Sequence, residues 1–506
     1  MAITSLSSFL GTTLTGATVD MRNDMRALER QLATGKKADN YAELGHQRRL
    51  SVSFRQTIAQ IDSWSESTKL VDMRVSIADV TLTRMQDLRT DAKAAIDPSN
   101  FTLNGGGKTS DQQVAQLLLE EFHALLQSDV GGRHIFGGRE VNTNPVEGLN
   151  SILYGNGTQA GVNTYIDERR QADQGANGLG RLTVPALGGT TVSFQGEAPG
   201  NMPFGAKITS ITSDTPAMVS AFTPQAGAVP AAASVNFAAQ PNVGQKVRIE
   251  FELPNGETNF IELRADNTVS TDDSTFQIGA TPADTAQNFR DVLENQLRLQ
   301  ANSHLEAASS IQAAYEFFRT GNGADPQRVD GPPLATATAL MAGTPGDTVQ
   351  WYRGENTTES AREGAVTRVD REQTVSYGMR ANEDPFAWMM AQMSAFVLED
   401  FSGGTVEDKS RHTAMAEMVN RNMSDRPGNP LMASIHMDIT AANLQAQRAS
   451  ERHDLTTKQY KDLVSGIEDA NQEETAISIL RLQTQMEASY TVTSRLSQLS
   501  LVNFLG

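Results

Sequence analysis

The sequence predicts a multidomain α+β chain: long N- and C-terminal helices packed as a coiled-coil core, with a β-rich, mixed α/β outer module inserted between them. Three observations predict it. Up to about residue 130, and again from about 410, apolar residues recur at helical spacing. From about 150 to 280 the chain is rich in Gly, Thr, Ala, Ser and Pro and alternates apolar with polar residues. At 506 residues it is also too long for one ordinary core. The expected divisions are an N-terminal helical core over 1–148, the inserted module over 149–400 and a C-terminal helical core over 401–506.

The first helix is read from Ile3, Leu6, Leu10, Leu14, Ala17, Met21, Met25, Leu28 and Leu32, separated by steps of three and four. Their pattern repeats every eleven residues, or about 3.67 per turn, so the apolar seam runs nearly straight. A helix of about 30 residues is about 45 Å long. It breaks at "ATGKKADN", Ala33 to Asn40, where Gly35, Asp39 and Asn40 are turn formers. A second helix is expected from about Leu50 to Ile96. Leu50, Phe54, Ile58 and Ile61 form its first stripe, continued by Val71, Val75, Ala78, Leu82 and Met85. After "GGGKTS", Ser110 or Asp111 is the expected N-cap of a third helix.

In the middle, "QKVRIEFELPNGETNFIELRAD" alternates through Val247, Ile249, Phe251 and Leu253, then places Asn255-Gly256 where a two-residue hairpin turn belongs. "RLTVPAL", "TTVSF" and "AKITSITS" read as further strands. Helices return over 282–318 and 383–400, the latter with Pro385 in its first turn. From about Ser410 to Leu505 the chain is helical again, apart from "DRPGNP" at Asp425–Pro430.

The last helix carries two stripes. Ile479, Leu482, Met486, Tyr490 and Thr493 trace one, and Ala488, Val492, Leu496 and Leu499 the other. Two stripes on one helix call for contacts on more than one side. The chain then ends on Leu501, Val502, Phe504 and Leu505 with no charge after Arg495. The expected subunit-interface residues are therefore Ile3, Leu6, Leu10, Leu14, Met21, Met25, Leu28 and Leu32 at one end. At the other they are Ile479, Leu482, Met486, Val492, Leu496, Leu499, Leu501 and Phe504.

Composition excludes several function classes. With 42 Lys+Arg against 60 Asp+Glu the formal charge is -18, which repels phosphate backbones, so no nucleic-acid partner is expected. There is no cysteine, hence no disulfide, thiolate metal site or cysteine nucleophile. No apolar run of about 18 residues occurs, so no membrane insertion is expected. The N-terminus lacks the basic and apolar regions of a signal peptide.

Catalytic motifs are likewise missing. The seven histidines show no HExxH or similar metal spacing. "GNGTQAG" and "GANGLG" match neither phosphate-binding loop, and no GxSxG is present. Glu120/Glu121 and Glu473/Glu474 are adjacent on helices and point apart. Met379, Met389, Met390 and Met393 read as core rather than as an adaptable binding face. No catalytic residue, cofactor or metal is expected.

Three segments resemble the bacterial flagellin family, which includes the hook–filament junction proteins (hook-associated protein 3). "RQLATGKKADN" (Arg30–Asn40) closes the first helix as the family's motif does. "SGIEDANQEE" (Ser465–Glu474) opens a final helix that runs to the chain end. "GGRHIFGGREVNTNPV" (Gly131–Val146) is similar to the segment after the third helix of junction proteins. Together the likeness covers about half the chain.

It implies terminal helices that form the inner core of a helical polymer (the domains termed D0 and D1), with the middle facing solvent. It also implies a non-catalytic subunit exported to the extracellular flagellum without a cleaved signal, with a flagellar export chaperone and neighbouring axial proteins as partners. Within the family the length and large middle favour a filament flagellin for motility, with the junction protein as the alternative. A secreted adhesin-like binding protein is the reading outside it.

Overall fold

A computed structural model describes residues 2–268, 272–320 and 324–505, and side chains from residue 16 to 495 among them. The chain is a mixed helix-and-sheet protein. Its helices are α1 (Ala2–Thr34), α2 (Arg48–Ala95), α3 (Ser110–Leu126), α4 (Leu149–Tyr154), α5 (Val162–Gln174), α6 (Pro282–Gln300), α7 (Glu306–Phe318), α8 (Asp384–Leu398), α9 (Val406–Asn422), α10 (Met432–Glu468) and α11 (Gln472–Leu505). Two compact units divide the chain. The terminal unit holds residues 1–72, 367–374 and 444–506, and the middle unit holds 73–366 and 375–443. The expected boundaries at 148/149 and 400/401 both fall inside the middle unit, because α3, α8 and α9 share one core there.

In the terminal unit α1 packs along α11. The other helical segments meet through side chains in antiparallel order. The rings of Phe54 and Tyr460 lie 5.4 Å apart, and Trp64 stacks on His453 at 6.2 Å. Ile61, Val71, Ala446, Ala449 and Val464 are buried there. Leu50, expected in the stripe, is instead 51% exposed, and Ser51 takes the buried position. Ser51 is buried because its hydroxyl reaches a carboxylate of α10, a polar anchor that hydrophobic periodicity does not register.

The middle unit contains two four-stranded sheets. One is ordered β3-β4-β7-β6 from Leu182–Thr183, Thr191–Gly196, Ala232–Phe237 and Met218–Thr223. The other is β10-β9-β8-β5 from Thr275–Gln277, Thr258–Asp266, Lys246–Glu252 and Lys207–Ser213. Helix α6 lies against strands of both. Its Phe289 sits edge-on to Phe237 of β7 at 5.4 Å and to Phe276 of β10 at 5.2 Å. Alternation buries Val247, Ile249 and Phe251 on one face of β8.

The β8–β9 hairpin closes through three residues rather than two. Leu253 N–H donates to Glu257 O at 2.8 Å and Gly256 N–H to Leu253 O at 2.9 Å, with Gly256 at φ +79°. Pro254 starts the turn, and only glycine takes that left-handed position without strain.

Helix α8 is buried on every side by α3, α7 and α9. Phe386, Met389, Met390, Met393 and Phe396 fill this core, as the core reading of the methionines expects. The cap of α3 is Thr109, not Ser110 or Asp111. Thr109 and Gln112 form a reciprocal capping box that the spacing T-x-x-Q already encodes.

Candidate functional site

The segments Arg30–Asn40 and Ser465–Glu474 meet in the terminal unit. Gly35, at φ +68°, stops α1, and its N–H donates to Gln31 O at 2.8 Å. Asn471 starts α11 by accepting from the N–H groups of Glu473 and Glu474 at 3.1 and 3.3 Å. Between these caps the chains form a short antiparallel bridge, Lys36 opposite Asp469. Lys37 N–H donates to Glu468 O at 2.7 Å, and Ala470 N–H donates to Gly35 O at 2.9 Å.

Side chains reinforce the bridge. Lys36 Nζ lies 2.5 Å from Asp469 Oδ1. Lys37 Nζ donates to Gly466 O at 2.6 Å, where a cation also suits the C-terminal end of α10. Glu468 turns the other way, to α2. Its carboxylate accepts from Ser51 Oγ at 2.5 Å and from Arg55 Nε and Nη2 at 2.9 and 2.6 Å. The forked Arg55 bond holds the Glu468 pKa down to about 2. One carboxylate thus ties the α10–α11 junction to α2, while the backbone beside it ties in the end of α1. We call this arrangement the clasp.

Beyond the clasp, Arg22 on α1 donates from Nε and Nη2 to the Tyr490 hydroxyl of α11 at 3.0 and 2.8 Å. Of the expected interface residues, Met21, Met25, Leu28, Ile479, Leu482 and Met486 are half-buried. Leu32 is 39% exposed and Val492 49% exposed. The side chains of Ile3, Leu6, Leu10, Leu14, Leu496, Leu499, Leu501 and Phe504 lie outside the described residues. A further apolar pair on α11, Ile477 and Leu480, is 66% and 63% exposed.

One loop of the middle sequence joins the terminal unit. Between β13 (Val366–Arg368) and β14 (Thr374–Ser376), Asp370 accepts from Arg452 Nε and Nη2 at 3.1 and 2.7 Å. His453 beside it is buried and has no hydrogen bond on either ring nitrogen. Burial lowers its pKa.

The segment Gly131–Val146 is an anchor inside the middle unit. Phe136 is fully buried, edge-on to Phe386 at 5.4 Å. Gly138 has φ +65°, and a Cβ there would fall 2.5 Å from the Glu355 carboxylate, so the glycine is required. Arg139 and Arg380 both pair with Glu355.

Two histidines of the middle unit are absorbed into packing. His123 is buried with Nε2 2.7 Å from Glu147 O, and burial lowers its pKa to about 4. His412 pairs with Asp111 at 2.8 Å among the rings of Phe101, Phe396 and Phe401. Glu121 is taken by Arg84 at 2.7 Å. Among the described residues no group of three His, Asp or Glu is placed to hold a metal.

No protein-family model and no curated protein matches the chain. The residues that sequence reading missed are Ser51, Arg55, Glu468, Asp370 and Arg452. The clasp partners stand more than 400 positions apart, so no local pattern links them. The signal that was available is the quoted motif itself, which contains Glu468 and Asp469.

Proposed function

We propose that the chain is a structural, non-catalytic subunit of the bacterial flagellum, exported without a cleaved signal, that polymerises through its terminal helices into the flagellar filament. One observation carries this reading. The two segments that resemble the family's terminal motifs, 433 positions apart at Lys36 and Asp469, are joined to each other by backbone and side-chain bonds. The pairing of α1 with α11 supports it further. Those helices share a half-buried seam, while Ile477, Leu480 and Val492 stay open on α11. Antiparallel helices with an uncovered second stripe are suited to coiled-coil packing against further copies of the same chain, a head-to-tail contact that propagates rather than closes.

The likeness of Gly131–Val146 to junction proteins favours a second reading within the same family, a subunit of the hook–filament junction. Deleting Leu496–Gly506 tests the assembly role common to both. The truncated chain is expected to keep a folded middle unit and to be absent from flagella. Its normal incorporation would refute the proposal.

A further inference from the structure

A polar cleft in the middle unit serves none of the roles described so far. It has a volume of about 450 Å³, within the span of about 300–1,000 Å³ found for small-ligand sites. Three elements converge on it: the β8–β9 hairpin, the C-terminal half of α9 with the loop after it, and a π-helical turn, Ala301–Leu305, that joins α6 to α7. Such turns inside α-helices are frequent at functional sites. Here the turn brings His304 to the cleft wall.

The cleft's chemistry is balanced. Arg421 is already engaged by Glu257 at 2.5 Å and approached by Glu417 at 3.6 Å. Among the described residues the amide of Asn259, the guanidinium of Arg426 and Nε2 of His304 have no hydrogen-bond partner, so their capacity is open. The last carbonyls of α9 offer nothing to a cation, because Asn429 Nδ2 donates to Arg421 O and Asn422 O at 3.1 and 3.0 Å. Two carboxylates oppose an anion here, and two guanidiniums oppose a cation. Burial lowers the His304 pKa, which keeps its ring neutral at pH 7 and able to donate or accept.

We propose that this cleft binds a neutral saccharide. Vicinal hydroxyls both donate and accept, so one hydroxyl can donate to a Glu417 oxygen while its neighbour accepts from Arg426 or from the Asn259 amide. The planar amide and guanidinium groups suit such paired hydroxyls. The lining, mostly polar side chains with Leu253, Met418 and Pro427 as its apolar part, excludes an apolar ligand. The site is independent of the assembly reading, since it lies wholly in the middle unit.

The test is isothermal titration of the full-length chain with glucose, galactose, mannose, rhamnose and N-acetylglucosamine, with inorganic phosphate and putrescine as charged probes. At least one neutral sugar is expected to bind, and the affinity is expected to fall about tenfold or more in both Asn259→Ala and Arg426→Ala. Neither side chain is bonded among the described residues, so both variants are expected to melt at the temperature of the unaltered chain. A second readout needs no variant: the His304 ring proton signal is expected to shift on saturation with the bound sugar. The proposal is overturned if no neutral sugar binds, if only phosphate or putrescine does, if binding survives both substitutions, or if the His304 signal stays fixed.

Discussion

The two units solve the problem of burying apolar surface in opposite ways. In the middle unit α8 is enclosed on all sides, and Met390, Met393 and Phe396 have no exposed surface. In the terminal unit the described side chains of α1 and α11 cover each other along one stripe. Their Met21, Met25, Leu482 and Met486 remain half-exposed, and Ile477 and Leu480 remain open. The first arrangement is complete within one chain. The second leaves apolar side chains of α11 open among the described residues, and under the proposed function those are the surfaces that further copies would cover.

Truncating the enclosed core should give the largest effect on the isolated chain. Phe396→Ala is expected to destabilise the middle unit by about 3–5 kcal/mol, read as a lower denaturant midpoint. Leu482→Ala, on the half-covered stripe, is expected to cost about 1 kcal/mol or less in the monomer, because much of its surface already faces water. A monomer as sensitive to the second change as to the first would erase the contrast.

Glu468→Gln ranks next. It removes the charge from a buried carboxylate with three charge-assisted or hydroxyl bonds, and a loss of about 2 kcal/mol from the terminal unit is expected. The same change alters the response to acid. The folded pKa near 2 lies below the free value of 4.5, so the clasp's contribution is complete above pH 4.5 and is lost as pH falls toward 2. In the variant, stability across that window is expected to depend less steeply on pH.

His123 gives the middle unit its own acid window. Its folded pKa near 4 lies below the free value of 6.5, so the unfolded chain takes up the proton first. Stability is therefore lost as pH falls from 6.5 to about 4. His123→Asn is expected to flatten that slope while leaving the window from 4.5 to 2 unchanged, as measured by denaturant titration at each pH.

The smallest effect on folding is expected from Leu480→Asp. The side chain is exposed, so the monomer should change by no more than about 0.5 kcal/mol, while assembly measured by light scattering should be lost. A fall in monomer stability of several kcal/mol would place Leu480 in the chain's own core instead.

Period and punctuation carried much of this fold. The helical stripe located α2, Pro385 marked the start of α8, and alternation located β8 and β9. What escaped was set by partners distant in sequence. Ser51 replaces Leu50 in the stripe because Glu468 waits opposite it. The β8–β9 turn gains a residue because Pro254 precedes Asn255-Gly256, and the α3 cap moves to Thr109 because Gln112 answers it. The clasp was half legible: its two motifs were evident, but their meeting depends on how the helices pack.

The central claim, that the chain polymerises along the flagellum, is tested most directly by immunogold electron microscopy with antibody against residues 150–400. Label along the whole fibre is the predicted result. A single band between hook and filament would move the protein to the junction, and flagella without label would contradict the account.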